Sequence, residues 1–143
     1  MQILLDEVSV LFEEKLILDN INTKLTHKRI GVIGSNGSGK STFLRLLNGL
    51  VHPSSGTVKV NGFDTKNNLK EIRKNVGFLF QNPEHQIIMP TVSEDLLLGL
   101  KALGLNKSEK KKRLEETVEK FNISKFIDQS SHSLSGGEKQ LVA

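Results

Sequence analysis

The stretch Gly34-Ser35-Asn36-Gly37-Ser38-Gly39-Lys40-Ser41-Thr42 decides how this chain is read. It fits the pattern G-x-x-x-x-G-K-[ST] of a phosphate-binding loop, in which each part has its own physical task. Glycines let the backbone turn tightly and bring several N–H groups onto one anion with no Cβ in the way. Lys40 supplies a mobile positive charge for the β- and γ-phosphates. The Ser41 hydroxyl suits Mg²⁺, a hard cation that takes oxygen ligands. Thr42-Phe43-Leu44-Arg45-Leu46-Leu47 reads as the helix that follows, and its N-terminal partial charge adds to the anion site. Just before the loop, Arg29-Ile30-Gly31-Val32-Ile33 is apolar with little alternation, as expected of a parallel strand buried on both faces. A plain glycine-rich turn between two core elements is the alternative, and the full pattern in a strand–loop–helix context speaks against it. The sequence predicts a nucleoside-triphosphate site.

Bulk properties bound what else the chain can do. At 143 residues it is one domain or part of one. No run approaches the ~18 apolar residues of a membrane span, and the best candidate, residues 96–105, is broken by Lys101. Met1-Gln2-Ile3-Leu4-Leu5-Asp6-Glu7 lacks a basic leader, so no signal peptide is expected. With no Cys there is neither a disulfide nor a thiolate metal site, which suits the cytoplasm. The net charge of +4 comes largely from Lys107, Lys110, Lys111, Lys112 and Arg113, followed by Glu115, Glu116 and Glu119. That is the pattern of a solvated helix face with i,i+4 partners such as Glu109 and Arg113. Trp and Tyr are absent, so a base-stacking platform would rest on Phe alone, and nucleic acid is not an expected partner.

Outward from the loop, residues 3–12 and 16–25 are rich in Val, Ile and Leu and read as two strands of a small antiparallel sheet, with Glu13-Glu14-Lys15 as their turn. Val8, Val10 and Phe12 alternate with Ser9 and Leu11. Phe12 could stack on an adenine ring or cap a strand end. Leu5-Asp6-Glu7 has the form of an apolar strand ending in a Mg²⁺-binding carboxylate pair. It opens the chain and flows straight into another strand pattern, so it is read as part of the first strand. Past the loop helix, His52-Pro53-Ser54-Ser55-Gly56 is a turn cluster, and Thr57-Val58-Lys59-Val60-Asn61-Gly62 alternates like an exposed-edge strand. Residues 69–74 read as a short helix, and Val76-Gly77-Phe78-Leu79-Phe80 as a second buried strand running into Gln81. That position, the C-terminal end of a parallel strand, is where open α/β sheets bind ligands. The Gln81 amide could reach Mg²⁺ or an attacking water, or cap a loop.

From Asn82 the character changes. Thr91-Val92-Ser93-Glu94 is a capping box opening a helix through about Leu103, stopped by Gly104. Residues 108–121 form a second helix with Leu114, Val118 and Phe121 on one face. Two helices in succession suggest a helical subdomain inserted into the α/β core. Ser133-Leu134-Ser135-Gly136-Gly137-Glu138 then opens a further helix, a second potential anion site.

Together these pieces resemble the ATP-binding subunit of ABC transporters from Met1 to the last residue. The elements that carry the resemblance are the Walker A loop, residues 34–42, the Q-loop glutamine Gln81, and the signature Leu134-Ser135-Gly136-Gly137-Glu138. Within that family, Phe80-Gln81-Asn82-Pro83-Glu84-His85-Gln86 with Pro90-Thr91-Val92-Ser93-Glu94-Asp95 is similar to the energising subunit of energy-coupling-factor importers, which take up biotin and other vitamins, or cobalt and nickel ions. His27-Lys28-Arg29 stands where the family usually has a Gly-Glu turn. The resemblance implies an α/β P-loop NTPase of the ABC ATPase type: a parallel core sheet, an N-terminal antiparallel β subdomain and an inserted helical subdomain, incomplete at the C-terminus. Residues 1–81 would be the nucleotide-binding core, and residues 82–138 the helical subdomain with the signature motif.

The resemblance also implies ATP and Mg²⁺ as cofactors, with Lys40 and the loop amides on phosphate, Ser41 and Gln81 serving Mg²⁺, and Phe12 on adenine. Ser135-Gly136-Gly137 would act in trans, on the γ-phosphate held by a second ATPase subunit, a copy or a paralogue. An integral membrane transport subunit would be the other partner, at the inner face of the cell membrane. A soluble ABC ATPase or a nucleotide-binding-only module are the alternatives; residues 82–133 are too short for a coiled-coil arm. In the family, the signature helix leads on to a Walker B strand, which lies beside the phosphate-loop strand and carries the catalytic carboxylates. No such strand follows Glu138 here, so the chain resembles a fragment of a longer protein. The isolated 143-residue chain is accordingly expected to hydrolyse ATP at background rate. Turnover that Lys40→Ala removed would overturn this and bring back Asp6 and Glu7 as the carboxylates.

Overall fold

β1 (Ile3–Phe12) and β2 (Lys15–Leu25) make an antiparallel hairpin whose tip is Glu13-Glu14, with Phe12 opposite Lys15. They belong to the first of two units, residues 1–78 and 79–143, into which the computed structural model divides the chain; residues 1–101 and 103–143 are described. Ile3, Leu5, Val8 and Val10 of β1 are all buried. A strict two-residue period would send Leu5 and Val8 to opposite faces. A bulge corrects the phase: the register slips between Leu5 and Val8, and Glu7 sits at φ 50°. Its N–H donates to Asn22 Oδ1 at 2.9 Å. Asp6 and Glu7 are therefore exposed members of a bulged strand, in line with the strand reading of this segment.

β3 (Ser55–Val60) and the short β4 (Phe63–Asp64) complete a sheet ordered β2-β1-β3-β4, antiparallel throughout. The alternation expected of β3 is present, with Val58 and Val60 buried and Thr57 and Lys59 exposed. Its expected place at a sheet edge is not. β3 pairs with β1 on one side and with β4 on the other, because Asn61 (φ 50°) and Gly62 (φ 84°) form the two-residue turn that folds the chain straight back. α1 (Lys40–Leu47) and α2 (Leu69–Asn75) contribute Leu46 and Ile72 to the same buried cluster as the β1 and β3 residues. Each such side chain is worth roughly 1.5–3 kcal/mol on burial.

Two expected strands do not form. Residues 29–33 and 76–80 lie outside every ladder, Ile33 is 95% exposed and Leu79 is 57% exposed. A buried parallel strand needs neighbours that satisfy its backbone groups and elements that cover both faces. Among the described residues no strand does this for residues 29–33, so an apolar run that reads as core meets water. The α/β class stands, with the antiparallel sheet in place, while the parallel core sheet is not built within the described residues.

The second unit is helical: α3 (Val92–Lys101), α4 (Lys107–Lys120) and α5 (Gly136–Val142), with 3₁₀ turns at Pro83–His85, Ser124–Phe126 and Ser131–Ser133. The predicted capping box opens α3: the Thr91 hydroxyl donates to Glu94 Oε2 at 2.8 Å and accepts from the Glu94 N–H at 3.4 Å. The expected continuation to Leu103 passes through Ala102, which lies outside the described residues. α4 begins one residue earlier than expected because Asn106 and Glu109 form a second capping box. Phe121 is the C-cap of α4 and 49% exposed, so it does not share the half-buried face of Leu114 and Val118. Val92, Ile123, Phe126, Leu134 and Val142 make this unit's core.

Gly56 shows how tightly the bulge packs: at φ 77°, a Cβ there would lie 2.3 Å from the Glu7 carbonyl oxygen and 2.4 Å from that of Asp6. Gly56→Ala should cost more than ~2 kcal/mol in urea unfolding, whereas Gly62→Ala, also at positive φ but in open space, should cost about 1–2 kcal/mol. Equal losses would show that the bulge tolerates displacement. Ile33→Lys should lower the sedimentable fraction of the purified chain, since it removes an exposed apolar side chain without unpacking anything.

Candidate nucleotide-binding site

Gly39 sets the geometry of the loop. It is the N-cap of α1, in the left-handed region at φ 87°, and a Cβ there would lie 2.8 Å from Leu18 Cδ2 and 3.1 Å from the Ile17 carbonyl oxygen. The loop thus rests its backbone directly on β2. Gly37 takes φ 80°, again favouring glycine. The Ser38 N–H donates to the Ser35 carbonyl at 3.3 Å, closing the turn. From the first residue of α1, Lys40 folds back across the loop, and its Nζ donates to the Gly34 carbonyl at 2.8 Å and the Ser35 carbonyl at 2.6 Å.

Around this ammonium lies a concentration of donors. Among the described residues no group accepts from the backbone N–H of Gly39, Lys40, Ser41 or Thr42, and the first turn of α1 holds no acidic residue. A helix start with free N–H groups carries partial positive charge and favours an anion. The cradle fits phosphate in every respect: glycine backbone, free amides, one lysine, no competing carboxylate. The exposed Ser41 hydroxyl, with no protein partner among the described residues, could supply one oxygen to a Mg²⁺ that keeps most of its waters. No group of three or more His, Cys, Asp or Glu among the described residues could hold a metal by itself.

Phe12 is 67% exposed at the tip of the hairpin, so it is not a packed strand cap. It pairs with Lys15, two residues along β2 from Ile17, whose carbonyl lies under Gly39. Two strand residues span ~7 Å, so Phe12 and the loop are neighbours on the same hairpin. Gln81 lies in an exposed bend of the second unit, and its amide makes no hydrogen bond among the described residues. It caps no loop.

The signature residues divide their tasks. Leu134 is 4% exposed and belongs to the second core. Ser135 caps α5: its hydroxyl donates to Glu138 Oε2 at 2.7 Å, its N–H donates to the same oxygen at 2.8 Å, and the Glu138 N–H returns to its Oγ at 3.4 Å. The Ser135 hydroxyl, then the Ser135 N–H, hold the Glu138 carboxyl below its usual range. Gly136 and Gly137 are exposed, with nothing within 4 Å of where a Cβ would stand.

Sequence reasoning missed one contact in this unit. Glu84, in the 3₁₀ turn after Gln81, meets Lys139 of α5 at 2.6 Å, and the Lys139 side chain is only 15% exposed. The hydrogen bond and charge of Lys139 hold the Glu84 carboxyl low. Residues so far apart share no spacing rule, and no sequence signal could have joined them.

A glycine loop on a helix start, with a lysine across it, defines a P-loop nucleotide-binding domain. A family model described as ABC transporter matches residues 18–143, and the chain belongs to that family. It is 46% identical to the biotin transport ATP-binding protein BioM of Rhizobium etli, across 100% of this chain and 63% of that protein. Identity to the energy-coupling factor transporter ATP-binding protein EcfA1 of Bacillus subtilis is 40%, across 91% of this chain and 47% of that protein. A dimeric ATP-binding cassette in a post-hydrolysis state, bound to ADP and Pi, superposes with TM-score 0.79 at 28% identity, over 98% of this chain and 66% of that one. The chain spans 61–63% of the length of curated relatives to which it is about half identical. No helix among the described residues is long and apolar enough to cross a membrane.

Lys40→Ala should weaken triphosphate binding by about 1.5–3 kcal/mol and leave adenosine binding nearly unchanged, measured by calorimetric titration. Equal losses for both ligands would point to a folding defect. The two depressed carboxylates set a pH expectation. Their contribution is complete above the ordinary carboxylate pKa and is lost as pH falls through the lower folded-state value. In Ser135→Ala the Glu138 carboxyl should therefore titrate at higher pH than in wild type, as followed by NMR; an unchanged midpoint would remove the serine as its cause.

Proposed function

We propose that the protein binds ATP with Mg²⁺ at residues 34–42 and, in its full length, hydrolyses it to drive import of a vitamin or a metal ion through an integral membrane subunit. The observation that carries this is Lys40 drawn across a glycine loop at a helix start with free amides. The names of the relatives, biotin transport and energy-coupling factor transporter ATP-binding proteins, support the direction of the chemistry.

In this reading Lys40 and the loop N–H groups hold the β- and γ-phosphates, and Phe12 lies against adenine. Ser41 and Gln81 offer oxygen to Mg²⁺. The bound nucleotide supplies a γ-phosphoryl group whose transfer is governed by positioning and charge. Residues 1–81 are the nucleotide-binding core, and residues 82–138 the helical subdomain that presents the signature. Ser135, Gly136 and Gly137 would meet the nucleotide on a second ATPase subunit, with Leu134 anchoring the segment and Glu138 fixing the serine. The dimeric cassette that this chain resembles supports such pairing, and a closed pair needs two-fold or pseudo-two-fold symmetry. The protein then works on the cytoplasmic face of the membrane.

The chain contains no Cys, so single cysteines between Asn82 and Leu103 report contacts cleanly. In the full-length protein they should cross-link to a membrane subunit that co-purifies with it. Cross-links confined to residues 57–62 would overturn the assignment.

A further inference from the structure

α3 and α4 leave between them an open hollow of about 710 Å³, lined by Leu97, Lys107, Ser108, Lys110, Lys111 and Leu114. Positions 107, 110, 111 and 114 follow i, i+3, i+4, i+7, so three ammonium groups and a leucine share one face of α4. Leu97, 37% exposed, brings apolar surface from α3. Lys110 is half-buried, as when a long cationic side chain lays its stem on apolar surface and keeps its head in water.

The charge around this hollow is only partly neutralised. Lys111, Lys112 and Arg113 each lie 3.8–4.0 Å from Glu115 or Glu116. Glu109 is engaged with Asn106 in the capping box. Lys107 and Lys110 have no ion-pair partner among the described residues. A solvated helix face accounts for the paired lysines, but not for an apolar floor beneath two unpaired ones. Nucleic acid would use the lysines and ignore the floor. An anionic amphiphile uses both.

We infer that the α3–α4 face docks on the acidic phospholipid surface of a membrane. Lys107 and Lys110 meet headgroup phosphates, and Leu97 and Leu114 face the start of the acyl region. The inference shares with the proposed transport role a place of work at a membrane and the segment that holds α3, and makes no use of the phosphate loop.

Co-sedimentation of the 143-residue chain with vesicles tests it. The chain should bind phosphatidylcholine vesicles that contain phosphatidylglycerol, more weakly as salt rises, and should not bind phosphatidylcholine alone. Lys107→Glu with Lys110→Glu should lower partitioning at least about 25-fold, from about fivefold per lysine contact. Lys24→Glu with Lys66→Glu makes the same change in net charge on the first unit and should have little effect. Leu97→Asn should weaken binding without altering its salt dependence. Circular dichroism checks each fold, and Lys107→Gln with Lys110→Gln replaces the reversal if that variant unfolds.

Equal losses from the two charge-reversed pairs would reduce the effect to net charge and overturn the inference. So would equal binding to both vesicle types. Tighter binding to a DNA oligonucleotide than to the vesicles, lost with Lys107 and Lys110, would assign the face to nucleic acid instead. Lys40→Ala should leave vesicle binding intact while triphosphate binding falls, so the two readings can fail separately.

Discussion

The contact on which the nucleotide site depends is the seat of Gly39 on β2. With the Leu18 side chain and the Ile17 carbonyl directly beneath, there is no room for a Cβ, and the backbone at φ 87° turns the loop into α1 at Lys40. That turn sends the lysine back over Gly34 and Ser35 and leaves the amides of residues 40–42 without acceptors among the described residues. It also ties the site to the hairpin, because the strand beneath the glycine is the one opposite Phe12. A larger residue at position 39 would lift the loop from the sheet and disturb lysine, amides and aromatic together.

The second unit rests on reciprocal capping. Thr91 with Glu94, Asn106 with Glu109, and Ser135 with Glu138 open its three helices. Helices of 7 to 14 residues are marginal by themselves, so ends and packing must compensate. Caps satisfy the first amides, and a small core around Val92, Ile123, Phe126, Leu134 and Val142 holds the helices together. The signature thereby acquires a fixed base: Leu134 is buried, Ser135 is locked by Glu138, and the glycines stand clear. The Glu84–Lys139 pair adds a tie between the turn after Gln81 and α5, short and largely shielded on the lysine side.

The apolar run of residues 29–33 shows the limits of hydrophobic pattern. Its composition suits a strand buried on both faces, yet Ile33 is 95% exposed. Composition supplies side chains that would be stable inside a sheet; it does not supply the adjacent strand. Hydrogen bonds across a ladder are obligatory for a buried backbone. Where no neighbour presents them, the segment stays hydrated however apolar it is.

Much of this protein was legible in sequence because the signals are short. A phosphate loop, the Thr91–Glu94 capping box, each strand of the hairpin and a signature segment lie within a dozen residues apiece, and their chemistry acts over that range. The order of those signals carries the resemblance to the ABC transporter family, to which the match over residues 18–143 assigns the chain. Some of what was missed was local too: the Asn61-Gly62 turn and the Asn106 capping box could have been read and were not. Only the tertiary structure decided which strands found partners, that the bulge at Glu7 returns Val8 to the buried set, that Gly39 lies on Ile17 and Leu18, and that Glu84 meets Lys139. Those are pairings between residues brought together by packing, and no spacing along the chain encodes a distance in space.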